Sequence, residues 1–193
     1  MFTTDNVFFI ADTHFGHRNI LKLTDRPFEN TKEMDEAIIE LWNERVGPED
    51  HIFHLGDVSW HNTRRTLRIL ERLQGHIHLI RGNHDTYIAQ GRCAERFASI
   101  HDLYELTIPD PELPQPQRIV LCHYALRVWN HSAYGAWHLY GHSHGLLPDV
   151  PASLSFDIGM DCYPDSPLSY PQIKALMHAR RPQTPTHQAQ AIL

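Results

Sequence analysis

Aspartate, histidine and asparagine recur in five short clusters: Asp12-Thr13-His14, Gly56-Asp57, Gly82-Asn83-His84-Asp85, His123 and Gly141-His142-Ser143-His144. Carboxylate oxygens and imidazole nitrogens suit Mn, Fe, Zn, Ni or Co, and no soft thiolate cluster is present to demand zinc alone. The candidate donors are Asp12, His14, Asp57, Asn83, His123, His142 and His144. That set is too large for a single ion that must also hold water. It suits two divalent ions sharing a bridging carboxylate. Two ions about 3.5–4 Å apart polarise a phosphoryl oxygen, lower the pKa of a bridging water and steady an in-line displacement.

Taken singly, each cluster has a plainer explanation. An aspartate such as Asp12 caps turns, Gly56-Asp57 is a common turn dipeptide, and a lone histidine at a strand end is more often structural than a ligand. The conjunction is what carries weight. Each cluster follows an apolar run that reads as a buried strand: residues 7–11, 52–55, 77–80, 119–122 and Leu139-Tyr140. Ligand sites in open α/β sheets gather in the crevice outside the carboxyl ends of the strands. Five polar clusters so placed converge on one region.

The elements that must position them follow from periodicity. Residues 7–11 read as a first strand, followed by a turn punctuated by Gly16. Thr31 is the expected N-cap of a helix with Met34, Ile38, Leu41 and Trp42 at helical spacing, closed by Gly47-Pro48. Residues 51–55 form a second strand, 62–74 a second helix stopped by Gly75, and 76–81 a third strand. This alternation predicts parallel pairing through right-handed crossovers. Residues 99–108 and 118–123 read as two strands joined by the proline-rich segment 109–116, a surface hairpin connection. Residues 124–138 read as an aromatic-bearing loop, 153–159 as a further strand and Ser169–Arg180 as a last helix. Residues 1–180 thus make one domain, and the polar, proline-containing 181–193 a frayed tail.

Several side chains near this framework have plain assignments. Arg64, Arg68 and Arg72 read as a solvated helix face rather than a phosphate-tracking stripe. Trp60, Trp129 and Trp137 read as packing rather than as cleft walls, and His51, His54, His76 and His78 as structural. With 41% hydrophobic and 21% charged residues, wholesale disorder is excluded. A net charge of −6 argues against attachment to nucleic acid by bulk charge, while leaving room for a local cationic site. Three cysteines without a close pair suggest neither a disulfide framework nor a CxxC zinc site. The amino terminus lacks a cationic, apolar leader pattern and no run approaches membrane-spanning length, so a soluble cytoplasmic protein with no membrane partner is expected.

From about residue 7 to 161, the ordered series Asp12-Thr13-His14, Gly56-Asp57, Gly82-Asn83-His84-Asp85, His123 and Gly141-His142-Ser143-His144 resembles the calcineurin-like metallophosphoesterase superfamily, with every signature position filled. The resemblance implies an α/β fold, a two-sheet β-sandwich flanked by helices, with a dinuclear centre at one end. It implies that Asp12, His14 and His144 hold one ion, that Asn83, His123 and His142 hold the other, and that Asp57 bridges. His84 is implied to have a different role, contacting the phosphate and protonating the departing oxygen while a metal-bound hydroxide attacks. Asn83 lies against the substrate as well. Asp85 is expected to orient His84 or raise its basicity. Arg18, soon after the first cluster, is a candidate to clamp a phosphate oxygen, with a plain surface role as the equal alternative. The implied activity is metal-dependent hydrolysis of a phosphate ester; the expected preference for diesters rests on His84, since an acid matters most for a poor leaving group. The expected cofactors are two divalent ions, Mn first, with Fe, Zn or Ni as alternatives. The expected partner is a small phosphate ester, a nucleotide or a nucleic-acid end. Two alternatives stay open: a phosphomonoesterase acting on small substrates, and a non-catalytic scaffold of the same fold. The intact ligand set favours the enzyme.

Overall fold

Alternation of side chains along the opening strand decides the layering. In β1 (Val7–Ile10), Val7 and Phe9 enter one core and Ile10 the other, as a period of two requires. The computed structural model describes residues 1–180. After β1 come α1 (Ile20–Leu23), α2 (Thr31–Arg45), β2 (His51–His54), α3 (Thr63–Leu70), β3 (His76–Ile80) and α4 (Gly91–Ala94). The second half supplies β4 (Ser99–His101), β5 (Leu103–Ile108), β6 (Gln117–Cys122), β7 (Trp137–Tyr140), β8 (Ser155–Asp157), β9 (Leu168–Ser169) and α5 (Tyr170–His178).

Two sheets result, in the orders β4-β3-β2-β1-β9 and β5-β6-β7-β8. The first is parallel from β1 through β4, as the strand–helix alternation predicts, with β9 antiparallel to β1 at its edge. In the second, β5 and β6 form the expected hairpin while β6, β7 and β8 run parallel. One core lies between the sheets, where Phe9, Phe53, Ile80, Leu121, Leu139 and Phe156 meet. The other lies between the first sheet and its helices, where Ile52 and Leu79 pack on Ile38, Trp42 and Leu70. Each such side chain removed from water contributes about 1.5–3 kcal/mol. The architecture is the expected helix-flanked sandwich.

The details differ in instructive ways. Asn30, not Thr31, caps α2, its side chain accepting from the Lys32 and Glu33 amides. The expected strand 99–108 breaks at Asp102, and its halves join different sheets. Asp102 faces outward there and takes the Arg81 guanidinium at 2.7 and 2.6 Å. Helix α3 ends at Leu70 rather than near residue 74, and β7 begins at Trp137, inside the segment read as loop. Lys174 and the Tyr170 hydroxyl both reach the Asp110 carboxylate, which ties α5 to the proline-rich connection. No helix among the described residues is long and apolar enough to cross a membrane. The expected tail, 181–193, lies outside the described residues.

Candidate metal centre

The parallel strands end together, and the loops that leave them bring the sequence clusters to one place. Asp12 lies just beyond β1, Asp57 beyond β2, Asn83 and His84 beyond β3, His123 beyond β6, and His142 and His144 beyond β7. The loops interlock through the backbone: the Asp12 amide donates to Gly56 O and the Gly141 amide to His123 O, both at 3.0 Å. Two donor groups form, Asp12 with His14 and His144, and Asp57 with His123 and His142. Within each group one ligand atom per residue lies within 4.8 Å of the others. Asp57 also joins the groups. Its Oδ2 is 3.6 Å from His14 Nε2, while its Oδ1 is 3.6 Å from His123 Nε2.

Whether these residues suit cations can be tested on their hydrogen bonds. His14 Nε2 is buried and has no hydrogen-bond partner, a costly omission for a polar atom unless it is a ligand. His123 Nδ1 lies 2.6 Å from Leu55 O, so it carries the ring proton and leaves Nε2 as a lone pair. That lone pair faces the side-chain oxygen of Asn83 at 3.1 Å. Two acceptors so close call for a cation between them. His144 Nδ1 donates to Asp161 at 2.7 Å, which likewise frees Nε2. The donor set fits two divalent ions.

The metal-free electrostatics agree. Burial raises the Asp12 carboxyl well above its ordinary range, and the nearby Asp157 and Asp57 carboxylates push it further. Burial lowers His14 to about 2, with His144 and Arg26 adding to the effect, so the ring is neutral and able to ligate. Without metal, the indole N–H of Trp60 donates to His14 Nδ1 at 3.0 Å, which puts the ring proton on Nε2. Ligation through Nε2 would need the proton on Nδ1 instead, with the Trp60 N–H turned away and His17 Nδ1, 3.2 Å off, as the acceptor.

Backbone conformation shows what the placement demands. Asp12, His14, Asp57, His142 and His144 all have φ between 48° and 67°. Left-handed backbone is uncommon outside glycine and clusters where function imposes it. Glycines supply the room: a Cβ on Gly56 would lie 2.5 Å from Gly82 N and 2.6 Å from His123 Nδ1.

His84 stands at the rim with its side chain 40% exposed, and its Nε2 is 3.9 Å from Asp57 Oδ2. Its ring centroid is 4.6 Å from that of Trp60, so this tryptophan does border the site. Trp137 stacks on Tyr170 in the core, and Trp129 covers His138. The partnership expected between Asp85 and the His84 ring is replaced by another. Asp85 is fully buried, and its carboxylate accepts from the amides of Asp57, Val58 and Gly82 at 2.7–2.9 Å. All its capacity goes to holding two loops together. Arg18 lies exposed in a groove with Leu21, Lys22, Phe28 and Asn30, which no candidate ligand lines. His54 is structural as expected, its ring joining Thr13 Oγ1 to the Gly56 amide.

Two residues the motifs did not reveal sit directly behind the ligands. Arg26 is buried, donates to the backbone carbonyls of Asp12 and Thr13, and forms a two-pronged ion pair with Asp161 at 2.7 and 2.8 Å. Asp161 in turn holds His144. Neither lies next to a signature cluster. The available signals were a charged residue flanked by turn formers at Asp25-Arg26-Pro27 and an acid following the segment Phe156-Asp157-Ile158-Gly159-Met160.

The chain matches the calcineurin-like phosphoesterase superfamily domain over residues 6–153, and it belongs to that superfamily. It is similar to an uncharacterized protein of Methanocaldococcus jannaschii, 39% identical over 102 residues, 50% of this chain and 58% of the relative. It is also similar to the Gene 66 protein of Mycobacterium phage D29, 37% identical over 99 residues, 50% of this chain and 48% of the relative. The chain thus spans about half the length of the curated relatives it matches. A protein of unknown function from Aquifex aeolicus shares the fold, with a TM-score of 0.64 at 24% identity over 88% of this chain and 98% of that one.

Proposed function

We propose that this protein is a phosphoesterase that uses two divalent ions, and that its substrates are phosphodiesters. The observation that carries the reading is the meeting of two donor groups at Asp57, each presenting unprotonated or unpartnered ring nitrogens to its neighbours. Asp12, His14 and His144 would hold one ion, Asn83, His123 and His142 the other, with Asp57 between. Bound there, such a pair polarises phosphoryl oxygens and makes water acidic enough to act as a nucleophile near neutral pH. We assign manganese as the working metal, with iron, zinc and nickel acceptable to the same ligands.

The protein's own residues supply the rest. His84 Nε2 is the exposed imidazole nitrogen beside the bridging carboxylate, in position to give a proton to the departing oxygen. A diester leaves as a poor alkoxide and gains most from that proton. Its backbone amide donates to Asp57 Oδ1 at 3.0 Å, which fixes the loop relative to the bridge. The test compares bis-para-nitrophenyl phosphate with the mono-ester after metal stripping and Mn²⁺ reloading, with Asp57→Asn alongside. Activity restored by Mn²⁺, greater on the diester and absent in the variant is the expected result. Hydrolysis of neither ester by protein with two bound ions would overturn the proposal and leave a scaffold.

A further inference from the structure

Arg64, Arg68 and Arg72 are all exposed, as the solvated-face reading expects, but their surroundings differ. Arg72, just past the helix, is taken up by Glu36 through bonds of 2.8 and 2.5 Å. Arg64 lines a groove of about 640 Å³ between α3 and α4, together with Thr63, Leu67, Tyr87, Gln90 and Arg92. Neither Arg64 nor Arg92 has a side-chain hydrogen bond or ion pair with any described residue, and no carboxylate lines the groove. In a chain with 23 acidic and 17 basic residues, two unpaired guanidiniums facing one cavity without an acid are a local reversal of sign.

The groove is joined to the metal centre by the chain itself. A single segment runs from His84 through Tyr87 to Arg92. The Tyr87 hydroxyl donates to His61 O at 2.7 Å and is shared with Ser59 O, so Tyr87 is clamped to the backbone on both sides of Trp60. Trp60 in turn packs on His84. A strand whose reacting phosphate lay beside His84 and followed this segment would pass Tyr87 on its way to Arg64 and Arg92. The half-exposed Tyr87 ring and Leu67 give that path an apolar floor between two cations. Guanidiniums pair with phosphate oxygens, and aromatic faces carry sugars and bases without sequence preference.

We infer that the α3–α4 groove is a subsite for a second phosphate, and that the substrate is a single-stranded oligonucleotide rather than an isolated small diester. This rests on the phosphoesterase reading for the hydrolytic step, while binding is independent of it. The probe is 5′-fluorescein-labelled oligothymidylate of ten nucleotides, followed by anisotropy with the full chain in EDTA and by hydrolysis after Mn²⁺ loading. In Arg64→Glu/Arg92→Glu the dissociation constant should rise at least tenfold. The slope of log affinity against log salt should fall by about 1.4, the value for two single-strand phosphate contacts. Hydrolysis of bis-para-nitrophenyl phosphate should stay within twofold. Arg64→Ala/Arg92→Ala, with an unchanged thermal midpoint, should show the same fall in slope with a smaller loss of affinity.

Three results would overturn the inference: no oligonucleotide binding by the unaltered chain at low salt, equal binding by the variants, or a parallel loss on the small diester. Should the Mn²⁺-loaded chain hydrolyse neither compound, the phosphoesterase reading fails by itself, and anisotropy still decides the groove.

Discussion

Replacing Asp161 by asparagine should weaken both the fold and the metal centre, by amounts the surroundings set. Arg26 and Asp161 expose only 4% and 5% of their side chains. The guanidinium meets the carboxylate at 2.7 and 2.8 Å and otherwise touches backbone carbonyls and Met34. Burial pushes the Asp161 carboxyl up, but hydrogen bonds from His144 and Arg26 outweigh it and hold the group well below the carboxylate range. Asparagine keeps the shape and removes the charge, leaving a buried cation without a counterion. Breaking such a pair from one side costs about 3–5 kcal/mol. For a domain of this size that lowers the thermal midpoint by roughly 6–20 °C. The same change weakens the acceptor that fixes the His144 ring, and loss of such support costs about 10–100-fold in metal affinity. Circular dichroism melts in EDTA read the first effect and Mn²⁺ calorimetry the second. Arg26→Met/Asp161→Leu separates them, because removing both charges restores much of the stability while His144 Nδ1 still lacks its acceptor. An Asp161→Asn protein that melts and binds Mn²⁺ like the unaltered chain would refute the reasoning.

Acid should destabilise the metal-free fold through two histidines outside the ligand set. Burial lowers His54 to about 3, with a further push from His123, and lowers His78 to about 4, with His51 adding to it. Unfolded, both take protons near 6.5; folded, they resist until far lower pH, so stability falls as pH drops from about 6.5 toward 4. At pH 5 each contributes about 2 kcal/mol of loss, roughly 4 together. Urea unfolding at pH 7.5 and 5 should show it, and His54→Gln/His78→Gln should flatten the dependence; an unchanged slope in that variant would sink the assignment. Gly56→Ala should cost about 3 kcal/mol, combining a left-handed penalty with a collision against the Gly82 backbone. Gly91 is also left-handed, at a φ of 57° against 92° for Gly56, but has open space around its Cβ, so Gly91→Ala should cost about 1 kcal/mol; equal melting losses would show that neither the collision nor the wider φ matters.

Much of this centre was legible in the sequence because its donors lie at strand ends, and strand ends are where apolar runs stop. Asp12, Asp57, Asn83 and His123 each follow such a run, and the parallel order of β1, β2 and β3 brings the first three together. What stayed hidden depends on direction rather than position. Asp85 adjoins His84 in sequence, yet its carboxylate turns back onto the amides of Asp57 and Val58, which a linear reading does not place near it, as well as onto Gly82. Arg26 and Asp161 are 135 residues apart, and nothing local to either announces the other. Asp102 likewise sits within one run of strand-forming residues, and only the strand pairings on either side of it show that the chain changes sheets there.

The left-handed backbone argues most directly that the centre is built for a purpose other than stability. Among the described residues, seven non-glycine positions have positive φ, and five of them are candidate ligands. At about 1–2 kcal/mol each, their sum approaches the whole stability of an ordinary domain, about 5–15 kcal/mol. Asp and His tolerate this region better than most residues, and amide bonds such as His142 N to Asp12 at 2.9 Å offset part of the cost. A cation held by those same side chains would offset more of it, since metal-binding energy adds to folding energy.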